Sequence, residues 1–336
     1  MTGSMKSVAF DLLAHPWFGR FLSLGGGPRC VVLMLHRFRS ADGSVTGHDP
    51  AQLRELLAGL RRSKIALIDV AQAITAMGDA GTRASLPRRS VAFTVDDGYA
   101  DMVEIGEPVF AEFDCPVTGF VVPGVIDGEC WFWWDQIDWI MRQTTASSLL
   151  LELQGHPVTL QWSDARSRHV EKDRLVERLK DIDHGALLAF VTELARVAEV
   201  PIAIPAPSRY RVLGWDELRA AEARGMRFGA HSMTHPILSQ CTAAQSAYEI
   251  GESARRVRHE LAHPQAIFCY PNGRSSDYGM REMAAVSAAG MTSALTTLPR
   301  VLCMRDAPMA DSDWRFAVPR FPYVEHVGTV ARFFLR

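Results

Sequence analysis

The chain has 336 residues, of which 48% are hydrophobic and 22% are charged, and its formal net charge is −2. These values are typical of a soluble globular protein with a sizeable core, long enough for one large α/β barrel or two ordinary domains. The balanced charge argues against nucleic acid or an anionic membrane as a partner. No apolar run approaches the roughly 20 residues of a transmembrane helix.

The first 28 residues predict an irregular or helical lead-in to a domain that spans residues 29–336. An apolar stretch over residues 8–13 is interrupted by Asp11 and has no basic segment before it, so it makes a poor secretory signal. Six cysteines without CxxC spacing lie mostly among apolar neighbours, which favours buried thiols over disulfides or a thiolate metal site. We therefore expect a cytoplasmic protein.

Short continuous apolar runs predict seven strands that are buried on both faces. Asp49 and Pro50 mark the start of a helix between the first two strands, and a helix-like segment over residues 101–113 follows the third. Thr242 and Gln245 form a capping box that opens a long helix ending near residue 261. The predicted strands cover residues 30–35, 65–68, 91–95, 117–122, 226–230, 266–270 and 291–295.

The C-terminal ends of five predicted strands carry His36, Asp96, Pro123, His231 and Pro271. Strands that alternate with helices predict a parallel sheet, and polar groups gathered from several strand ends are typical of the active face of a (β/α) barrel. An open doubly wound sheet would concentrate its site at one switch point, and no strand is followed by a Gly-rich nucleotide-binding loop. We therefore predict a distorted, seven-stranded, TIM-like (β/α) barrel.

The alternation of strands and helices breaks between residues 124 and 210. This span contains a tryptophan-rich segment, a possible hairpin over residues 149–161 and two helical stretches over residues 164–181 and 186–200. A proline-rich exit follows, which regular helix does not accommodate. We interpret the span as a helical and hairpin subdomain inserted into one strand-to-helix loop.

Two stretches carry residues suited to metal chemistry. Asp96 and Asp97 are adjacent carboxylates at a strand end, an arrangement that a bound cation would stabilise. His231 and His235 follow another strand, and one Asp with two His is a plausible catalytic set with an open coordination position. The alternatives are that Asp-Asp-Gly is only a turn and that the two imidazoles are satisfied structural side chains.

Three stretches together resemble the signature motifs of the polysaccharide deacetylase family, the NodB-homology domain of carbohydrate esterase family four. They are Thr-Val-Asp-Asp-Gly at residues 94–98, His-Ser-x-x-His-Pro at residues 231–236 and Tyr-Pro-Asn-Gly at residues 270–273. The resemblance covers most of the chain from residue 29 to about 323, except the insertion. It implies a distorted (β/α) barrel that removes N- or O-acetyl groups from sugars with the help of a metal.

The resemblance also implies roles for individual residues. Asp97, His231 and His235 would hold one divalent cation, zinc in the first place, with cobalt or nickel possible. Asp96 would be the general base that activates water. The backbone N–H of Asn272 would help to stabilise the oxyanion.

The proton donor and the tether of the base differ from the common family pattern. The chain lacks the late Leu-x-His motif, but residues 34–37 resemble the early strand-end motif of the biofilm-polysaccharide deacetylases, which implies that His36 is the acid. Cys269 occupies the place of a motif arginine that tethers the base, and Arg320 is a candidate to replace it.

Aromatic rings stack on sugars, so the tryptophan cluster is a candidate substrate surface, although such clusters also form ordinary cores. Asp135 and Asp138 beside it could line the cleft or cap a helix. The candidate substrate-binding residues are Trp131, Trp133, Trp134, Tyr270, Pro271 and Arg320.

The predicted function is metal-dependent removal of acetyl groups from an N-acetylated sugar or glycan in the biosynthesis of surface or extracellular polysaccharide. Two alternatives remain open from the sequence, a hydrolase with another acyl or amide substrate and a non-catalytic glycan-binding module. If the protein is cytoplasmic, the expected substrate is a lipid- or nucleotide-linked intermediate.

Overall fold

The computed structural model describes residues 27–303 and 313–335. Almost all of the predicted lead-in at residues 1–28 therefore lies outside the described residues. Within the described ranges, no helix combines the length and the apolar character that crossing a membrane requires.

The main sheet contains all seven predicted strands, which run parallel to one another. Their observed bounds lie within two residues of the predicted ones. The strands are Arg29–Leu35 (β1), Ala66–Leu67 (β2), Arg89–Val95 (β3), Val117–Val121 (β4), Arg227–Ala230 (β7), Ile267–Cys269 (β8) and Ser293–Leu295 (β9). With helices on its outer face, this curled sheet is the predicted distorted (β/α) barrel, and the fold prediction is confirmed.

Helices connect most of the strands, as the parallel sheet requires. They are Pro50–Arg62 (α1), Val70–Gly78 (α2), Ala80–Arg83 (α3), Glu107–Ala111 (α4), Pro123–Ile126 (α5), Trp133–Gln143 (α6), Ala165–Leu179 (α7), His184–Val197 (α8), Trp215–Ala223 (α9), Ala243–Glu260 (α10), Met280–Ala288 (α11) and Val327–Phe333 (α12). Thr242 and Gln245 form the predicted capping box at the start of α10, where each side chain accepts the other residue's backbone N–H.

The segment predicted as one helix over residues 101–113 is divided. A π-helical turn, Met102–Gly106, precedes the short helix α4. Pro108 has no N–H to bond to a carbonyl in the preceding turn, so a continuous α-helical ladder cannot pass through it. At Gly106 a Cβ atom would lie 2.5 Å from the Phe38 ring, which explains the glycine at this turn.

The two faces of strand β3 pack in two different hydrophobic cores. In β3, Val91, Phe93 and Val95 pack beneath the surrounding helices. Ala92 belongs to a second cluster that fills the inside of the curl with side chains from β1, β4, β8 and β9, and α2 packs against that cluster. Continuing this alternation, Asp96 faces the interior at the carboxyl end of the barrel.

A short segment near the C-terminus joins the two ends of the sheet. Val318 forms a parallel bridge with Leu295 of β9, and Phe321–Pro322 (β11) pairs in parallel with β1. Leu302–Cys303 (β10) adds an antiparallel strand on β1. Arg320 lies between the two pairings of this segment and is therefore fixed at the barrel mouth.

The insertion forms its own hydrophobic core above the barrel. Ser148–Leu153 (β5) and His156–Gln161 (β6) form the predicted hairpin as a separate two-stranded sheet, and α6, α7 and α8 pack around it. All the buried members of this core lie between Trp133 and Val200. The insertion is therefore a separately packed unit that borders the carboxyl ends of the barrel strands.

Candidate functional site

The candidate site begins where the parallel strands end. The Asp96 N–H donates to the Leu35 carbonyl, and the His231 N–H donates to the Val121 carbonyl, so each residue is the last to pair with the neighbouring strand. The chain then leaves the sheet in left-handed backbone conformations, which cost free energy and are enriched at functional sites. The non-glycine residues with such positive φ angles at these strand ends are Asp97 (76°), Ser232 (61°), His235 (62°) and Asn272 (57°).

Asp97, His231 and His235 converge at this end of the barrel. The Asp97 Oδ1 atom lies 3.6 Å from His231 Nε2 and 3.5 Å from His235 Nε2, and all three side chains are buried. Tetrahedral zinc with ligands at 2.0–2.1 Å requires ligand atoms about 3.3 Å apart. The spacing of the three atoms therefore fits a single small divalent cation.

Neighbouring groups orient both imidazoles. His231 Nδ1 donates to the Cys269 carbonyl at 2.7 Å, which leaves Nε2 directed at Asp97 as the atom available to a cation. The His235 N–H donates to Ser232 Oγ, and the His235 ring packs edge-on against Trp134 at 4.7 Å. Burial and the charge of His231 lower the pKa of His235 to about 3, so its imidazole is in the neutral, metal-binding form.

The charges around Asp97 also suit a ligand. Burial alone would raise the pKa of this carboxyl group, but its hydrogen bond with His231 lowers it below its ordinary value. For His231 burial acts downward, and the adjoining Cys269 and Asp97 raise the pKa overall. A cation would replace that proton, as metal binding to histidine does generally.

Asp96 is held apart from this set by Arg320. The Arg320 Nη1 and Nη2 atoms donate to Asp96 Oδ1 and Oδ2, each at 2.8 Å, and both side chains are buried. Burial alone would raise the pKa of Asp96, but the positive charge of Arg320 lowers it, so Asp96 remains ionised. Arg320 thus makes the contact expected of the missing motif arginine, from a different part of the chain.

A second group of possible ligands, Asp96, His231 and Cys269, is less suited to a cation. Arg320 already contacts both Asp96 oxygens, and its Nη2 lies 3.0 Å from Cys269 Sγ. Burial raises the pKa of the Cys269 thiol, which keeps the sulfur protonated. Cys269 therefore fills the space beside the ion pair and is a poor ligand.

Of the other predicted residues, only some line the cavity of about 580 Å³ that lies between the barrel and the insertion. His36, Asn272, Tyr270, Trp134 and Arg320 line it together with the metal-ligand candidates. The Thr297 hydroxyl donates to the Asn272 carbonyl at 2.8 Å and fixes that loop. Tyr270 is buried and stacks on Tyr278 at 4.4 Å, so its ring is rigid.

The remaining predicted substrate residues, Trp131, Trp133 and Pro271, are buried and do not line this cavity. Trp133 belongs to the core of the insertion, because α6 is amphipathic and turns this face inward. Trp131 packs on Tyr210 at 5.5 Å. Of the three tryptophans predicted to bind substrate, only Trp134 lines the cavity.

Asp135 lines the cavity, as the sequence allowed, but its polar neighbours Tyr99 and Arg37 were not identified from the sequence. The Tyr99 hydroxyl donates to Asp135 at 2.6 Å and accepts from Trp134 Nε1 at 3.0 Å. The Arg37 guanidinium lies 4.1 Å from the centre of the Tyr99 ring and pairs with Asp101. Tyr99 directly follows the Asp-Asp-Gly motif, and Arg37 directly follows His36. These positions beside predicted site residues are the sequence features that could have identified them.

This fold and site define a distorted (β/α) barrel with a candidate metal centre at the carboxyl ends of its strands. Residues 83–293, more than half of the chain, match the family model described as polysaccharide deacetylase. The chain belongs to this family, which confirms the family identified from the three motifs. His36 and Arg320 lie outside the matched span.

Solved structures of deacetylases share the fold at low sequence identity. The deacetylase PplD of Streptococcus pyogenes, in complex with acetate, is 13% identical, with a TM-score of 0.57 over 92% of this chain and 99% of that one. IcaB from Ammonifex degensii is 15% identical, with a TM-score of 0.54 over 93% and 98%. The BpsB deacetylase domain from Bordetella bronchiseptica is 16% identical, with a TM-score of 0.51 over 88% and 95%. No curated protein matches the sequence.

Proposed function

We propose that this protein is a metal-dependent deacetylase that removes acetyl groups from an N-acetylated sugar or glycan. The observation that carries the proposal is an ionised, buried carboxylate, Asp96, which Arg320 holds beside three converging candidate ligands. Amide hydrolysis needs an activated water and a sink for the charge on the tetrahedral oxygen, and this pairing of a free base with a cation site suits both needs. Membership of the polysaccharide deacetylase family supports the same reaction.

We assign the cation to Asp97, His231 and His235, with zinc as first choice and cobalt or nickel as alternatives. Two imidazoles and one carboxylate suit zinc and leave a coordination position open for catalysis. When bound, such a cation polarises the acetyl carbonyl and lowers the pKa of water.

The protein's own groups then divide the proton transfers. Asp96 accepts a proton from the water that attacks the acetyl carbonyl, and Arg320 keeps its carboxylate ionised and oriented. The Asn272 backbone N–H donates to the oxygen on which negative charge develops. His36, which lines the same cavity, donates a proton to the leaving nitrogen.

The setting of the reaction is part of the proposal. We infer that the substrate is an intermediate of surface or extracellular polysaccharide synthesis and that the reaction takes place in the cytoplasm. The cavity of about 580 Å³ is of the size that holds a small ligand or a few sugar units.

Acetate release tests the proposal directly. Purified protein loaded with Zn²⁺, Co²⁺ or Ni²⁺ is given N-acetylhexosamine substrates, and acetate and bound metal are both measured. We expect Asp96→Asn to abolish turnover and retain the metal, His231→Ala to lose both, and His156→Ala on the exposed hairpin to change neither.

Absence of both acetate release and bound metal would overturn the proposal. Bound metal and bound glycan without acetate would instead favour a non-catalytic glycan-binding module. Release of a different acid from a panel of acylated sugars would favour a hydrolase with another acyl specificity.

A further inference from the structure

A group of cationic side chains of the insertion surrounds a single carboxylate. The Asp138 carboxylate of α6 accepts hydrogen bonds from Arg142 Nε at 2.6 Å and from the Tyr210 hydroxyl at 2.7 Å. Lys172 Nζ lies 3.7 Å away, and Arg209 Nε lies 3.9 Å away. We call these five residues the Asp138 cluster, and all five line the same cavity as the candidate metal ligands.

The Asp138 cluster has more positive than negative charge. Its three cations face Asp138, and the only further carboxylate that pairs with them in the described residues is Asp173, which is mostly exposed and lies 3.0 Å from Lys172 Nζ. Asp135 also faces Asp138, but burial raises the pKa of Asp135 to about 7, so it is only partly charged near neutral pH. The three cations therefore outnumber the two carboxylates, Asp138 and Asp173, that pair with them.

This surplus is accessible from the cavity. The side chains of Arg142 and Arg209 are 45% and 27% exposed, so neither guanidinium is enclosed by the protein. Two further cations on the same cavity wall, Lys180 and Arg274, share one carboxylate, Glu177. The cavity that holds the candidate metal ligands is thus also lined by these five cations, namely Arg142, Lys172, Lys180, Arg209 and Arg274.

The Asp138 cluster also separates two cavities. A second cavity of about 360 Å³ lies within the insertion and shares Asp138, Arg142, His169 and Lys172 with the larger one. These cations therefore line both the cavity that holds the candidate metal ligands and the cavity next to it. A neutral glycan gives no reason to place three cations at that junction.

We propose that the Asp138 cluster binds a phosphate or diphosphate group attached to the acetylated sugar. This inference rests on the proposed deacetylase function and names the class of its substrate. Phosphate oxygens accept charge-assisted hydrogen bonds from guanidinium and ammonium groups, which are stronger than neutral ones. A nucleoside diphosphate sugar and a polyprenyl diphosphate sugar share this chemistry.

A comparison of neutral and phosphorylated substrates tests the inference. Acetate release is measured for the methyl glycoside of N-acetylglucosamine, its 1-phosphate, a nucleoside diphosphate derivative and a short-chain polyprenyl diphosphate derivative. We expect phosphorylated sugars to have kcat/KM at least about tenfold above the methyl glycoside, mainly through KM. Whichever diphosphate derivative is turned over more efficiently identifies the source of the phosphate.

Variants assign that preference to the Asp138 cluster. Lys172→Gln and Arg209→Gln should raise KM for phosphorylated sugars about tenfold and leave KM for the methyl glycoside unchanged. Lys172→Arg should retain the preference. The matched control is Arg174→Gln, on the same helix α7, because Arg174 is 73% exposed and pairs with Glu171 outside the cavity.

Equal kcat/KM for phosphorylated and neutral sugars, or equal effects of Lys172→Gln on both, would overturn the inference and leave the deacetylase function intact. If no sugar releases acetate, the deacetylase function fails, and calorimetry still tests the Asp138 cluster. The Asp96→Asn protein loaded with Zn²⁺ should bind N-acetylglucosamine 1-phosphate more tightly than N-acetylglucosamine, and Lys172→Gln should remove that difference. Equal affinities for the two sugars would overturn the inference.

Discussion

Arg320 has five N–H donors, and each one has an acceptor within 3.0 Å. Nε donates to the Thr296 carbonyl, and the two Nη groups donate to Thr94 Oγ1, to both oxygens of Asp96 and to Cys269 Sγ. A buried guanidinium is tolerated only when its donors and its charge are satisfied in this way. At the residue scale, the state of Asp96 therefore depends on a single arginine.

Removing Arg320 should destabilise the fold by leaving Asp96 charged and unpaired. We expect Arg320→Met to lower the free energy of unfolding by about 3–5 kcal/mol. The double variant Arg320→Met with Asp96→Asn should recover part of that loss, because no unpaired charge remains. Urea unfolding of the wild type, both single variants and the double variant measures the coupling, and additive effects would contradict it.

Asp135 gives a second prediction, about pH. Its pKa is raised by burial to about 7 from an ordinary value of 3.8, so the folded state binds a proton that the unfolded state releases. This contribution to the free energy of unfolding is full below about pH 4 and is lost as the pH rises through about 7. Asp135→Asn still accepts from Tyr99 and should flatten the decline between these pH values.

The comparison of Asp135→Asn with the wild type removes the contribution of other titrating groups. Urea unfolding of both proteins at intervals between pH 4 and 8 would measure the contribution of Asp135 to the free energy of unfolding. Parallel stability profiles for the two proteins would show that Asp135 does not hold this proton.

At the scale of elements, the position of His231 depends on how closely β7 approaches its neighbours. A Cβ atom at Gly229 would lie 2.6 Å from the Ile267 carbonyl oxygen and 2.7 Å from the Phe120 ring. Glycine is therefore the residue that lets β7 fit between β4 and β8. His231 follows two residues later on the same interior face.

Two glycine substitutions test this close packing against each other. Gly229→Ala should lower the free energy of unfolding by about 1–3 kcal/mol and reduce acetate release, because β7 and His231 must shift. Gly251 lies inside helix α10, where an added Cβ atom would have no neighbour within 4 Å. Gly251→Ala should therefore raise the free energy of unfolding by about 0.5–1 kcal/mol. Thermal unfolding of both variants measures the difference, and similar effects would contradict the account.

At the scale of the whole molecule, the cavity belongs to both the barrel and the insertion. The barrel supplies the candidate metal ligands and Asp96, and the insertion supplies Trp134, Asp135 and the Asp138 cluster. Contacts such as the hydrogen bond from Tyr99 to Asp135 and the ion pair of Arg274 with Glu177 connect the two parts. Substrate selection is therefore divided between them.

A cation that binds only the folded state should stabilise the whole molecule. With Zn²⁺ at about 1,000 times its Kd, the expected gain is roughly 4 kcal/mol, and a chelator should remove it. Asp96→Asn should retain this gain in thermal unfolding, whereas His235→Ala should lose it. A chelator effect of equal size in the His235→Ala protein would contradict the assignment of the ligands.

The amino-acid sequence by itself determined the seven strands, the barrel and the family. Each of these depends on local signals, namely apolar runs, capping residues and short motifs at strand ends. The sequence also indicated that Asp97, His231 and His235 lie close together, because parallel strands bring their carboxyl ends to one edge.

Only the tertiary structure decided which residues that are distant in sequence pair with each other and which are buried. Arg320 and Asp96 are 224 positions apart, and although the family resemblance made Arg320 a candidate tether for the base, no local pattern around either residue fixes their pairing. The same holds for Trp131 and Trp133, which resemble Trp134 in sequence but turn into cores, and for the cations that gather around Asp138. Burial and pairing over such distances depend on how the insertion packs on the barrel, which only the folded chain specifies.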